Sequence, residues 1–259
     1  MPGSSCCLFL FSFYSASERS GGFAEGRQWL LGQLQQDGSL NNDATLSTAF
    51  QATTESLETF AIQQDSEPQE LTGAAAYLAA SAPDDSAENL ARRMIAAHSL
   101  GLDAGTDRQA LMARRQPYSG FGAFPGYSAD VISTAFALEA LHQLGITQEP
   151  AAYALQFLLD DQLDNGGWAL DGDNAQVQTT AVVMHALWLY RKQYQVDAAL
   201  GAAQSSLLGR RDDSLWAGTE QSSLALIALW SSAVDRSTFE AAFQALATPP
   251  HPPGAFLAV

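Results

Sequence analysis

The sequence predicts an all-α protein built from repeated helical hairpins, stacked as a solenoid or a closed ring. Three observations carry that prediction. First, the stretch Leu155 to Tyr190 reads as a helix, a turn over Gln162-Leu163-Asp164-Asn165-Gly166-Gly167-Trp168, a short acidic loop and a second helix. The second helix, Val177 to Tyr190, is apolar on nearly every side. Val177, Ala181, Met184 and Trp188 make one stripe, and Thr180, Val183, Leu187 and Tyr190 another. A helix with no solvent face must be covered on both sides. Second, weaker copies of this unit recur. Thr134-Ala135-Phe136 echoes Thr48-Ala49-Phe50 across 86 residues, and Ala140-Leu141, Ala186-Leu187 and Ala228-Leu229 follow one another at 46 and 42. Third, every break between periodic segments is turn chemistry, and no strand-like alternation competes with it.

The elements follow in order. Residues 1–24 read as a signal peptide or a disordered leader; Cys6 to Phe11 is apolar and Ser15-Ala16-Ser17 is a small-residue stretch, which resembles an export signal although no Lys or Arg precedes it. The segment is too short to span a bilayer, so the expected compartment is secreted or periplasmic, and otherwise cytoplasmic. The repeat domain runs over 25–247. Its first hairpin pairs a helix headed by Trp29-Leu30-Leu31 with one carrying Ala44, Leu46, Phe50 and Leu57, broken at Gln36-Asp37-Gly38-Ser39. A polar connection over Ala61 to Glu70 contains Pro68. The second hairpin is Ala74 to Ala80 and Ala87 to Leu100, with Asp84 or Asp85 as the expected cap of its partner helix. The third runs from Leu111 to Gln116, through a long loop with Pro125-Gly126, to a helix from Val131 that stops at Gly145. The fifth joins Ala202 to Leu208 with Ser222 to Trp230, and Ser237 to Leu246 begins a sixth. Residues 248–259 form a Pro-rich tail that cannot make the missing partner helix. About five and a half hairpins therefore leave a ring seam. Ala49, Phe50, Leu226, Leu229 or Trp230 is expected to face it, with self-association as the consequence and Phe256 and Leu257 as a partial plug.

Composition narrows the function. The chain has 259 residues and a net charge of −16, from 12 basic and 28 acidic residues. That balance excludes nucleic acid and anionic membrane surfaces as partners. Hydrophobic content of 47% against 15% charged suits one large core. Two adjacent cysteines, Cys6 and Cys7, lie outside the repeats and offer neither a disulfide framework nor a metal site. Asp171-Gly172-Asp173-Asn174 presents oxygens but lacks the later Glu of a Ca²⁺ loop.

The fourth repeat reads aromatic-Leu, three residues, Gln, three residues, Gly-x-Trp, in Phe157-Leu158, Gln162 and Gly166-Gly167-Trp168. The third repeat offers Gln116 and Gly120-Phe121, the first Trp29-Leu30 with Leu34 in the Gln position, and the fifth Arg211 with Ser214-Leu215-Trp216. This pattern resembles the Gln-and-Trp repeat of squalene and oxidosqualene cyclases, which is related to the repeats of protein prenyltransferase β subunits. The resemblance implies an α/α toroid of hairpins. The motif itself is structural: Gly frees the turn, Gln satisfies loose backbone groups at the hairpin end, and Trp buries area against the next hairpin. Trp29, Gln116, Phe121, Gln162, Gly167, Trp168 and Trp216 are accordingly fold residues.

The activities that the resemblance implies each lack a required residue. Squalene-type cyclases protonate an alkene from a run like Asp-x-Asp-Asp-Thr-Ala. The matching stretch is Asp130-Val131-Ile132-Ser133-Thr134-Ala135, where Ile132 and Ser133 replace the central acids, so Asp130 reads as a helix N-cap. Prenyltransferase β subunits hold zinc through Asp, Cys and His, and the repeats contain no Cys. The thioester domain of complement-like proteins needs a Cys before Glu-Gln, and Gly218-Thr219-Glu220-Gln221 lacks it. His98, His142 and His185 sit in different repeats without paired spacing, and His185 between Met184 and Ala186 reads as a core histidine. No metal or cofactor is therefore expected, and no catalytic residue is assigned. The expected function is a non-catalytic toroid domain that binds a hydrophobic ligand or a protein partner. Its loop and cavity candidates are Tyr127, Asp130, Glu139, His185 and Trp188. The alternative is a divergent terpene cyclase or prenyltransferase-like enzyme with relocated acids, acting on an isoprenoid in the central cavity.

Overall fold

A computed structural model describes residues 28–40, 47–62, 68–81, 84–213, 215–230 and 236–247. The leader, Ala44, Leu46, Ser214 and the Pro-rich tail with Phe256 and Leu257 lie outside the described residues. After a helical stretch at 28–32 come α1 (Ala49–Ile62), α2 (Pro68–Ala80), α3 (Ala87–Ser99), α4 (Gly105–Met112) and α5 (Val131–Gln143). There follow α6 (Ala151–Asp160), α7 (Val177–Tyr190), α8 (Asp197–Gly209), α9 (Thr219–Trp230) and α10 (Arg236–Ala247). Only isolated two-residue β-bridges occur among the described residues. None of the described helices is long and apolar enough to cross a membrane.

The odd-numbered helices form an inner layer, α1 against α3, α3 against α5, α5 against α7 and α7 against α9. Each even-numbered helix packs outside its inner partner. This explains why α7 has no solvent face: α5 and α9 flank it, α8 covers it, and Thr180, Ala181, Val183, Met184, Ala186 and Leu187 are all buried. The result is an α/α toroid.

The turns show how one hairpin fastens to itself and to the next. At four of them an inner-helix hydroxyl accepts the N–H of the turn residue that carries the large apolar side chain. Thr53 accepts from Leu40 (2.9 Å), Thr134 from Phe121 (2.9 Å), Thr180 from Trp168 (3.1 Å) and Ser222 from Trp216 (3.0 Å). Trp168 and Trp216 are fully buried, and each donates its indole N–H to the outer helix at 2.7 Å, to the carbonyls of Leu158 and Leu207. Gln162 donates to Gly166 in its own turn (2.8 Å) and to Ala199 on the next outer helix (2.9 Å). Gly167 has no room for a side chain: a Cβ there would lie 2.7–2.9 Å from Ala175, Thr180 and Ser206.

These bonds correct the register of the repeats. Thr53, not Thr48, is the counterpart of Thr134, because each accepts from a turn N–H thirteen residues earlier. Likewise Arg115, not Gln116, stands in the third repeat's Gln position. Arg115 bridges to Phe121 as Leu34 does to Leu40, while the Gln116 N–H bonds Gly120 as the Leu163 N–H bonds Gly167. In the fifth repeat the turn is one residue shorter and Arg211 keeps the Gln position: the Asp212 N–H bonds Leu215 as the Leu163 N–H bonds Gly167, and the indole acceptor Leu207 lies four residues before Arg211 as Leu158 does before Gln162. Ser86, rather than Asp84 or Asp85, caps α3, accepting from the Asn89 N–H at 3.3 Å. Asp84 braces that cap through Ser86 and Asn89, and Asp85 pairs with the buried Arg114. The expected connection over 61–70 is shorter, since α1 runs to Ile62 and α2 begins at Pro68. Phe50, Leu226 and Leu229 are buried rather than open at a seam, and Trp230 stacks edge-on with Phe239 of α10.

Candidate functional site

The hydroxyl register places lumen positions in layers. Two residues after each hydroxyl stand Glu55, Phe136, Val182 and Leu224; five residues after stand Glu58, Glu139, His185 and Ile227. All are half-buried on helices whose other faces are buried, as expected of an inner wall. The wall is two-sided. Toward α7 and α9 it is mostly apolar, with Val182, Trp188, Leu224, Ile227 and Trp230 beside the one imidazole of His185. Toward α1, α3 and α5 it carries charge.

Arg92 of α3 organises the charged side. Its guanidinium pairs with Glu55 of α1, bonds Glu88 one turn back at 2.9 Å, and lies 4.6 Å above the Phe136 ring of α5. Burial alone would lower its pKa, but the carboxylates of Glu55, Glu88 and Glu58 outweigh that and raise it, so Arg92 stays a fixed cation. In the next layer His185 Nε2 lies 3.4 Å from Glu139 Oε1, with side chains 12% and 20% exposed. Burial would raise Glu139, yet the His185 hydrogen bond and the charges of His185 and Arg92 hold its carboxyl below the ordinary carboxylate range. Glu58 goes the other way. Burial, then repulsion from Glu55 and Glu139, pushes its carboxyl well above that range. Its carboxyl therefore holds a proton to higher pH than an ordinary carboxyl. Burial and the neighbouring His185 lower the pKa of His142.

The structure unites some of the candidates and separates others. Glu139 and His185 form one pair, so two of the candidates stand together and the histidine, largely buried, has a carboxylate partner. Trp188 lies one turn further along α7, half-buried, with the Arg191 guanidinium 3.5 Å over its ring. Asp130 is the N-cap of α5, its carboxylate accepting the Ser133 N–H at 2.8 Å. Nine residues separate it from Glu139, about 13 Å along the helix. Tyr127 is 61% exposed on the loop before α5, and its carbonyl accepts from Gln116. Sequence reasoning missed Glu55, Glu58, Glu88 and Arg92. Their signal was present as charges three or four apart, Glu55 with Glu58 and Glu88 with Arg92. Among the described residues no three His, Cys, Asp or Glu side chains gather as metal ligands, and Asp171, Gly172, Asp173 and Asn174 are exposed.

No family model matches the chain, and no curated protein matches its sequence. Solved structures do match its fold. The apo structure of MstE, a type II terpene cyclase from Scytonema, superposes with a TM-score of 0.73 at 18% identity, over 93% of this chain and 81% of that one. A variant of MstE in complex with its substrate, geranylgeranyl dihydroxybenzoate, gives 0.71 at 17% identity, over 91% and 79%. The ent-copalyl diphosphate synthase of Streptomyces platensis gives 0.61 at 20% identity, over 76% of this chain and only 43% of that one. The layered inner and outer helices, the Gln–Trp turns and these superpositions agree: the chain has the α/α-toroid fold seen in type II terpene cyclases.

Proposed function

We propose that the chain is a binding module that encloses an amphipathic, largely apolar ligand in its lumen without cyclising it. The observation that carries this reading is the two-sided lumen wall. Trp188, Ile227 and Trp230 supply half-buried apolar side chains on α7 and α9, and Glu55, Glu58, Arg92 and Glu139 supply hydrogen-bonding groups on α1, α3 and α5. A pocket that is mostly apolar with a few convergent polar groups suits an oriented small-molecule ligand. The start of α5 supports the non-catalytic part. Asp130 is engaged with the Ser133 N–H, and Ile132 and Ser133 occupy the places where the cyclase-like run carries its central acids. Incubation with geranylgeranyl dihydroxybenzoate, the substrate held by the MstE variant, tests both parts. Quenching of indole fluorescence at Trp188 and Trp230 with no cyclised product is the expected outcome; absence of quenching with any apolar ligand defeats the reading.

One observation favours a second reading, a divergent cyclase with a relocated acid. Glu58 is a lumen carboxyl that burial keeps protonated beyond the usual range, which is what a proton donor to an alkene needs. In that case product forms, Glu58→Gln abolishes it, and Asp130→Asn leaves it intact.

A further inference from the structure

The turn that carries Trp168 holds the only Asn-Gly pair in the sequence, Asn165-Gly166. Asn165 is exposed, while Gly166 is buried at φ +82°, a conformation that favours glycine. With no side chain on the following residue, the glycine nitrogen of such a pair is free to attack the neighbouring side-chain amide. The closed turn opposes that attack at each group involved. The Gly166 N–H donates to the Leu163 carbonyl at 2.8 Å, and Asn165 Oδ1 accepts the Gly167 N–H at 3.1 Å. The Gly166 carbonyl accepts from Gln162, which also donates to Ala199 of α8. A Cβ on Gly166 would lie 2.4 Å from the Ala202 carbonyl, so this backbone has little room to swing.

The first repeat shows the same turn with an acid in that place. Asp37 Oδ1 accepts the Ser39 N–H at 2.9 Å, the Gly38 N–H donates to the Gln35 carbonyl at 3.0 Å, and Gly38 has φ +87°. An aspartate therefore fits the turn as well as an asparagine does.

We propose that Asn165 is a spontaneous deamidation site that the closed hairpin holds shut and that reacts when the hairpin opens. The Gly166 nitrogen then bonds to Cγ of Asn165, the Cγ–Nδ2 bond breaks, and the Gly166 amide proton ends on the departing ammonia. Water opens the resulting cyclic imide at either carbonyl. One product is aspartate at 165, which keeps the bond to the Gly167 N–H as Asp37 keeps its own to Ser39. The other is isoaspartate, in which the main chain runs through Cγ and gains one carbon. That added carbon moves Gly166 off Gln162 and off its seat against Ala202, so the turn no longer closes on α8. One opening event thus has a harmless outcome and one that weakens the hairpin permanently.

Incubation of the full chain in mildly alkaline buffer, folded and in urea beyond its unfolding transition, tests this. Peptide mass mapping reads deamidation, and enzymatic carboxyl methylation reads isoaspartate. Asn165 should convert in urea and at least about tenfold more slowly in the folded chain, where reaction waits on opening. Gln162→Ala, which frees the Gly166 carbonyl, should raise the folded rate several-fold and leave the rate in urea unchanged. Equal rates folded and in urea, or a folded rate unmoved by Gln162→Ala, overturn the gating; an Asn165 that stays intact in urea overturns the site. The products are separated by chromatography, refolded and unfolded again in urea. Asn165→Asp should keep the wild-type midpoint and the isoaspartyl chain should unfold at less urea. A wild-type midpoint for the isoaspartyl chain, or a lowered one for Asn165→Asp, overturns the account of the two products. If Gln162→Ala does not fold, the comparison of wild-type rates decides the gating alone.

Discussion

At Glu58 the folded chain holds a proton more tightly than the unfolded chain, because burial and two neighbouring carboxylates oppose ionisation. The unfolded carboxyl releases its proton near pH 4.3. Above that pH the folded state carries the extra proton, so this group's contribution to stability falls as pH rises, until the folded pKa is passed. Glu139 has the opposite sign: its depressed folded pKa contributes stability that is lost as pH falls through that value. Glu58→Gln should therefore be more stable than wild type at pH 7, with the gap closing toward pH 4, as read from urea unfolding across that range. The turn hydroxyls give a second test. Thr180→Val removes the acceptor of the buried Trp168 N–H and should cost roughly 1–3 kcal/mol, whereas Thr180→Ser should cost much less. The indole of Trp168 is legible in the sequence as a fold residue because Gly-x-Trp is a local pattern. The hydroxyl that meets its backbone is twelve residues away, and no local pattern announces it.

The helices are largely legible as elements, since apolar periodicity and turn residues mark them independently of context. Val177 to Tyr190 is the same in both readings. What sequence spacing misplaces is register. Thr48-Ala49-Phe50 and Thr134-Ala135-Phe136 look alike, yet hydrogen bonding aligns Thr53 with Thr134, because inner-helix sequences are rich in small residues and tolerate chance matches. Capping is local and more readable. Asp130 holds the Ser133 N–H, so Asp130→Ala should lower stability by roughly 0.5–2 kcal/mol and Asp130→Asn by much less. Thermal unfolding of the three chains measures this. A charge-specific loss of ligand affinity in Asp130→Asn, at unchanged stability, would make it a site residue instead.

Across the whole molecule, the lumen cluster joins residues that lie far apart in the chain: Glu55, Arg92, Glu139 and His185 come from four hairpins. On its own helix each reads as part of a solvated edge. Only ring formation brings these edges to face one another, so the site is nearly illegible before the fold is known. Arg92 ties three of those hairpins, pairing with Glu55 on α1 and lying over Phe136 on α5 from its place on α3. Arg92→Met leaves those carboxylates uncompensated and should cost about 3 kcal/mol. Adding Glu55→Gln should recover part of that loss in a double-mutant cycle.

The four turn amides capped by inner-helix hydroxyls imply an order of solvent exchange. Loop amides ordinarily trade hydrogen for deuterium quickly, but those of Leu40, Phe121, Trp168 and Trp216 are each closed by a hydroxyl from another part of the hairpin. They exchange only when that hairpin opens. In a chain whose repeats lean mainly on their neighbours, terminal units open more often than central ones. Deuterium should therefore reach Leu40 and Trp216 before Phe121 and Trp168, so that four slow amides in otherwise fast loops record how the ring unravels from its ends.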